Sequence, residues 1–279
     1  MISFQGDIPG STPGGGKECP PAAGKCVPSP TTHNLSLEAV VVTLHAVRSW
    51  IRDCTSLCVL TGAGVSAESG VPTFRGPEGL WKRRDPMSLA TPEAFAEDPK
   101  EVWEWYQWRR QRIRGCAPNR GHAALAAAEA AKPDFLLVTQ NVDGLHRAAG
   151  SRRVAEIHGN IWTVRCAGCG AEREERSDFA ELPPRCVACG GLLRPGVVWF
   201  GEMLPREASD AAMEMLSRCE VLIVAGTSAV VAPASGYAAV AKRRGARVIE
   251  VNPDETPVSA VCDATFRGKS GEVLPALLG

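Results

Sequence analysis

No stretch of the 279 residues approaches the ~20 consecutive apolar positions that a membrane-spanning helix needs. Excess charge is equally missing. With 31 basic and 31 acidic residues, no overall field draws the chain to nucleic acid or to an anionic bilayer. Residues 1–33 contain almost no large apolar side chains after the first few positions, and no arginine. A segment this rich in Pro, Gly, Ser and Thr cannot bury enough surface to offset its ordering entropy, so disorder is expected. Lacking a long apolar core and arginines, it fits neither a secretory signal nor a transit peptide, which points to the cytoplasm. An even cysteine count is also absent. Eleven cysteines scattered through an enzyme-sized chain argue against a disulfide scaffold and for a reducing compartment. No internal repeat is evident.

What is present suits one large α/β domain carrying a smaller lobe, with 44% hydrophobic residues to build its core. Leu37, Val40, Val41, Leu44, Val47 and Ile51 follow a helical spacing, with Asn34 or Ser36 available as N-cap. Apolar runs at 56–60, 135–138, 221–225 and 247–251 read as buried parallel strands, separated by helical stretches at 122–131 and 207–218. The alternation implies a Rossmann-like, doubly wound parallel sheet, in which ligands sit beyond the carboxyl ends of strands. Residues 80–118, tryptophan-rich and helical, and 160–200, carrying cysteine pairs, interrupt the pattern. They are expected to form the small lobe together, leaving 34–79, 119–159 and 201–279 as the larger one. The basic run Arg109, Arg110, Arg112 and Arg114 reads as a solvated helix face.

Polar motifs follow the strand ends. Gly62-Ala63-Gly64-Val65-Ser66-Ala67 satisfies a G-x-G-x-x-G/A pattern, whose small residues let backbone approach a pyrophosphate. The acidic residue of a dehydrogenase, about 20 positions on, would fall near Asp85, which is in no expected strand; that reading fails. Phe74 and Arg75 stand on a Gly/Pro loop just beyond, where Arg75 could neutralise phosphate and Phe74 could shield a ribose carbon. Thr139-Gln140-Asn141-Val142-Asp143-Gly144-Leu145-His146 puts amides and a carboxylate at a strand end, to bond a polar ligand or each other. For Asp143, capping the next helix is the plainer alternative. His158-Gly159 offers a candidate base. Gly226-Thr227-Ser228 and Asn252 suit the phosphates and ribose of a dinucleotide, with Ser270 a further cofactor-binding candidate. Cys166-x-x-Cys169 and Cys186-x-x-Cys189, 16 residues apart, match a four-cysteine zinc ribbon; four thiolates leave no open position, so the metal would be structural.

Taken in order, these motifs resemble the sirtuin family over roughly residues 37–279, joined by Val197-Val198-Trp199-Phe200-Gly201-Glu202, in sirtuins the strand-like segment that pairs with substrate peptide. The resemblance implies an NAD-consuming protein-lysine deacylase. Nicotinamide would sit near Asn141 and Asp143, and the acyl oxygen would attack the ribose carbon. His158 would then act as general base on a ribose hydroxyl, and the products would be free lysine, nicotinamide and 2′-O-acyl-ADP-ribose. Peptide would bind by strand addition.

Tyr106 and Arg109, at i and i+3 on an expected helix, share a face, and no acidic residue at i±3 or i±4 pairs with Arg109. A guanidinium beside a phenol suits a carboxylate. The alternative leaves Arg109 in solvent on an aromatic-rich helix. Leu89-Ala90-Thr91-Pro92 together with Tyr106-x-x-Arg109 is similar to the desuccinylase (class III) branch, which implies a preference for succinyl-, malonyl- and glutaryl-lysine. Gly196 stands where that branch usually has a bulkier polar residue. The rival readings are a general deacetylase, a mono-ADP-ribosyltransferase using the same NAD site, and a binding module built on the ribbon. The ribbon's mixed charges (Glu172, Arg173, Glu174, Glu175, Arg176) are no stripe for phosphates. The expected partners are therefore acylated lysines of proteins, with no membrane, no direct nucleic-acid contact and a monomeric state.

Overall fold

Six consecutive buried residues, Ser56–Thr61, form the central strand β1 in the computed structural model, which describes residues 43–73 and 85–279. Before it, α1 (Leu44–Asp53) is capped by Thr43, whose hydroxyl accepts from Ala46 N at 3.3 Å. Its backbone is extended, so α1 starts there rather than at Leu37; Leu37, Val40, Val41, Asn34 and Ser36 lie outside the described residues. The remaining parallel strands are β2 (Asp134–Thr139) and β3 (Val154–Glu156), followed later in the chain by β7 (Val221–Ala225), β8 (Arg247–Val251) and β9 (Ala264–Phe266).

The sheet runs β3-β2-β1-β7-β8-β9 with every pairing parallel. The chain therefore winds outward from β1 in both directions, and the order reverses between β1 and β7. One face is covered by α7 (Arg206–Arg218) and α8 (Tyr237–Arg243), which bury Ala212, Met215, Leu216 and Tyr237. The other carries α1, α5 (Arg120–Ala131) and α9 (Ser270–Leu278) through Val47, Ile51, Leu125 and Leu274. The near-continuous apolar strands follow from burial on both faces.

A second, antiparallel sheet has the order β5-β4-β6, formed by β4 (Gly159–Cys166), β5 (Glu172–Glu174) and β6 (Leu193–Val197). Against it lie α3 (Pro92–Glu97) and α4 (Pro99–Arg114), and side chains from both helices and both long strands share one apolar core. Trp103 Nε1 donates to Leu193 O at 2.7 Å, and Gln107 bonds Phe179 through both of its amide atoms. The arginine run on α4 departs from the sequence expectation. Arg112 and Arg114 are exposed, but Arg109 and Arg110 are buried. Arg110 donates to the carbonyls of Glu175 and Ser177 and lies over Trp162, so carbonyls and aromatic faces replace water around it. Among the described residues no helix is long and apolar enough to cross a membrane.

Candidate active site

Both halves of the switch point are glycine turns pressed together. Gly64 N donates to Gly226 O at 2.8 Å, and Gly226 has φ +58° with the place of its missing Cβ 2.4 Å from Val65 N. No other residue fits there, and the gap that the turns leave above them opens into a cavity of about 1360 Å³. Gly62, Ala63, Gly64, Gln140, Thr227, Ser228, Asn252 and Ser270 line it. Gln140 Nε2 donates to Thr227 Oγ1 at 2.9 Å and Asn252 Nδ2 to Thr227 O at 2.8 Å, so side chains just past the ends of β2 and β8 fix the loop after β7. Ser270 at the start of α9 keeps a buried hydroxyl without a partner among the described residues. Phe74 and Arg75 lie outside the described residues.

His158 stands on the opposite wall, just before β4. Its Nδ1 is 3.1 Å from Gln140 O; a carbonyl only accepts, so Nδ1 carries the proton and Nε2 keeps its lone pair. Burial lowers the imidazole pKa, opposed by that carbonyl, so the ring is neutral at cellular pH. Gly159 makes this position possible. At φ +76°, a Cβ would sit 2.2 Å from Gly196 O, where β6 crosses close to β4. Val198 N donates to His158 O at 2.9 Å, which ties this histidine to the 197–202 segment.

Asn141 lines the cavity, and its Nδ2 donates to Gly62 O (3.0 Å) and Ser66 Oγ (3.2 Å). Ser66 and Asp143, read as cofactor contacts, lie behind this wall rather than on it: Ser66 is fully buried and Asp143 nearly so. One Asp143 oxygen accepts from Leu145 N at 2.8 Å, the first N–H of α6 (Leu145–Ala148), from one position before the N-cap Gly144. Burial raises the Asp143 pKa, opposed by the N–H of Leu145, the hydroxyl of Ser66 and the charge of Arg109.

Two histidines complete a buried polar layer that the sequence reading did not assign as a unit. His122 Nδ1 accepts from Asn119 N (3.2 Å), so its proton is on Nε2, 3.3 Å from Ser66 Oγ. His146 Nε2 lies 3.0 Å from Thr61 Oγ1, which in turn donates to Thr139 Oγ1 at 2.8 Å. The rings are 4.8 Å apart, and burial lowers their pKa values to about 4 (His122) and about 3 (His146). Both are therefore neutral spacers under the turn and the strand ends.

The sulfurs of Cys166, Cys169, Cys186 and Cys189 all lie within 4.8 Å of one another. Two of the separations, 3.4 and 3.9 Å, bracket the about 3.8 Å that a tetrahedron of ~2.3 Å zinc–sulfur bonds requires. Backbone N–H groups of Gly168 and Cys169 point at Cys166 Sγ, and that of Gly191 at Cys189 Sγ. The Cys166 thiol is lowered to about 6, first by the Cys169 N–H. The residues fit a structural zinc ion that would hold the two knuckles together.

The far end of the cavity meets α4. Ala90, Tyr106 and Arg109 line it, and Arg109 is only 6% exposed, which removes the reading that leaves it in solvent. Its guanidinium carbon lies 4.8 Å from the Trp105 ring centroid and 5.9 Å from that of Tyr106. Burial lowers its pKa, yet a guanidinium stays charged, so a cation faces a mostly apolar cavity. Along the 197–202 segment only Val197 is in a strand; Phe200 and Gly201 turn, and Glu202 folds back so that its carboxylate accepts from Trp199 N at 2.8 Å and pairs with Arg194. Phe200 N donates to Ala90 O, which joins this segment to the part of the wall lined by Ala90, Tyr106 and Arg109.

The sequence profile of the Sir2 family matches residues 62–233. An NAD-dependent protein deacylase of Aquifex aeolicus is 56% identical over 216 residues, which cover 77% of this chain and 90% of that protein. NAD-dependent protein deacylase 1 of Archaeoglobus fulgidus is 51% identical over 230 residues, covering 82% and 94%. Among solved structures, a Sir2 homologue–NAD complex superposes with a TM-score of 0.79 at 49% identity, covering 84% of this chain and 92% of the other. A Sir2–p53 peptide–NAD+ complex does so with 0.75 at 29% identity, covering 83% and 95%. A profile match over more than half of its length, with relatives aligned over about nine-tenths of theirs at half identity, establishes that the chain belongs to the Sir2 family.

Proposed function

We propose that this sirtuin is an NAD-dependent protein-lysine deacylase that acts better on succinyl-, malonyl- and glutaryl-lysine than on acetyl-lysine. The deacylase part is supported by the names of its relatives and by the NAD complexes of its structural neighbours. NAD as co-substrate supplies the electrophilic ribose carbon and a leaving nicotinamide. Ala63, Thr227 and Ser228 offer backbone N–H groups and hydroxyls to its phosphates. Gly62, Gly64 and Gly226 let the backbone approach closely while their own N–H groups bond Ala225, Gly226 and Val251, and Asn252 and Ser270 line the same cavity for the ribose. Asn141, held by Gly62 O and Ser66, presents an amide near the nicotinamide, with Asp143 bracing the turn from behind. His158 takes a proton from a ribose hydroxyl at Nε2 while Gln140 O steadies the imidazolium that forms.

The acidic-acyl preference rests on one observation: a buried arginine and a phenol share the cavity wall beside Ala90, whose small side chain leaves room for a longer chain. A guanidinium and a phenol on one wall can hold a substrate carboxylate through charge-assisted, bidentate hydrogen bonds. The test is kcat/KM on one peptide carrying acetyl-, succinyl- or malonyl-lysine. Arg109→Met should depress desuccinylation at least about tenfold, the order of a lost charge-assisted pair, while sparing deacetylation. Equal losses on the two peptides would remove the acidic-acyl reading. Nicotinamide release that leaves ADP-ribose on protein and no deacylated peptide would favour the transferase instead.

A further inference from the structure

Trp199 sits in the middle of the peptide-facing segment, yet its side chain is turned inward and is 2% exposed. Its indole is clamped from two sides. The Arg194 guanidinium lies 3.5 Å from the ring centroid, and the Phe95 ring lies 5.2 Å away at 41°. Arg194 is itself held by both oxygens of Glu202 and by Val197 O. The indole therefore has one available orientation, and in it Nε1–H donates to the Tyr106 hydroxyl at 3.0 Å.

An indole N–H only donates, so the Tyr106 oxygen must accept. A phenolic O–H lies close to the plane of its ring and has two positions there. The one directed at Trp199 would set two hydrogens face to face. The other is left, and Tyr106 lines the cavity beside Arg109.

We propose that Trp199 is a positioning residue that fixes the Tyr106 hydroxyl as a donor toward the acyl end of the cavity, and so sets the preference for an acyl chain ending in a carboxylate. The inference rests on the acidic-acyl reading above and adds a cause to it. With the hydroxyl's accepting side occupied, the wall at Tyr106 and Arg109 presents donors to the cavity. A carboxylate, which only accepts, matches such a wall. A methyl-terminated acyl chain leaves the Tyr106 hydroxyl buried against carbon, a mismatch that discriminates more strongly than a difference in size.

The test replaces Trp199 by β-(3-benzothienyl)alanine, which keeps the bicyclic shape and puts sulfur where the N–H was; Trp199→Phe serves as the genetic version. Both are compared with Tyr106→Phe and Arg109→Met on acetyl- and succinyl-lysine versions of one peptide. Removal of the N–H should lower kcat/KM for the succinyl peptide by about five- to tenfold, the size of one oriented hydrogen bond, and for the acetyl peptide by less than about twofold. Adding Tyr106→Phe to the benzothienyl protein should then cost the succinyl peptide little more, because the two changes remove one interaction. Equal losses on both peptides, or full additivity with Tyr106→Phe, would overturn the role of Trp199 while a selective Arg109→Met effect left the substrate reading standing. An Arg109→Met protein with an unchanged succinyl-to-acetyl ratio would overturn both.

Discussion

The proposed role of His158 as base follows from what holds it. With Nδ1 committed to Gln140 O, only Nε2 can receive a proton, and burial keeps the ring neutral. His158→Ala should therefore stop turnover while leaving NAD affinity by calorimetry within a few-fold of the parent, since the phosphate turn is built by other residues. An equally large loss of NAD affinity would move His158 from chemistry to binding. The two deeper histidines act on stability. Their pKa values of about 4 and about 3 lie below the 6.5 of an unfolded chain, so below pH 6.5 the unfolded state takes up protons that the folded state refuses. Stability is fully present above pH 6.5 and falls as the pH drops, by about 2 kcal/mol per histidine between pH 6.5 and 5. Urea unfolding of His122→Gln at pH 7 and 5 should show a loss smaller by about that amount; an unchanged pH slope would mean that His122 is protonated in the fold.

At the scale of elements, the four long strands of the parallel sheet were legible to within a residue or so, because continuous apolar runs ending in Gly, Asn and Thr admit little else. The three-residue strands β3, β5 and β9 were not, since a run that short carries no period. Nor was the burial of Arg109 and Arg110 legible: it depends on carbonyls of the ribbon 65 and 67 residues away from Arg110, and on the aromatic faces of Trp105, Tyr106 and Trp162. The same holds for His122, which is half of a capping box on α5 and also touches Ser66, 56 residues earlier. Asn119, the other half, receives Gly121 N, and its Nδ2 donates to Val65 O (2.8 Å) and Ser69 Oγ (3.0 Å). One residue thus caps α5 and braces the short helix α2 (Gly64–Ala67) behind the phosphate turn. Asn119→Ala should cost about 1–2 kcal/mol in thermal or urea unfolding and raise KM for NAD with little change in kcat. A stability loss with KM unchanged would confine Asn119 to capping.

Across the whole molecule, β4 is the connection that matters most. It begins one residue after the base and ends on the zinc ligand Cys166, and Cys166, Cys186, Trp199 and Tyr106 belong to one apolar core. Trp162 in the same strand donates from its indole to Asp143 O at 2.8 Å, so the ribbon also reaches the loop after β2. Chelation of the metal should therefore lower Tm and abolish activity, though no metal chemistry is involved, and added zinc should restore both together. Activity that survives complete removal of zinc, verified by metal analysis, would show that the two lobes are mechanically independent.

Gly196 has a consequence for the order in which this groove can change. A Cβ there would lie 2.7 Å from Thr163 Cβ, 2.8 Å from its Cγ2 and 2.9 Å from its carbonyl oxygen. Trimming Thr163 to alanine removes the methyl conflict, but the other two remain until β4 and β6 separate at their bulge. A bulkier residue at 196 is thus closed to single-step substitution. The permissive change must come first, at Thr163 and in the spacing of the strands, so the accessible order of substitutions in this groove is set by sterics.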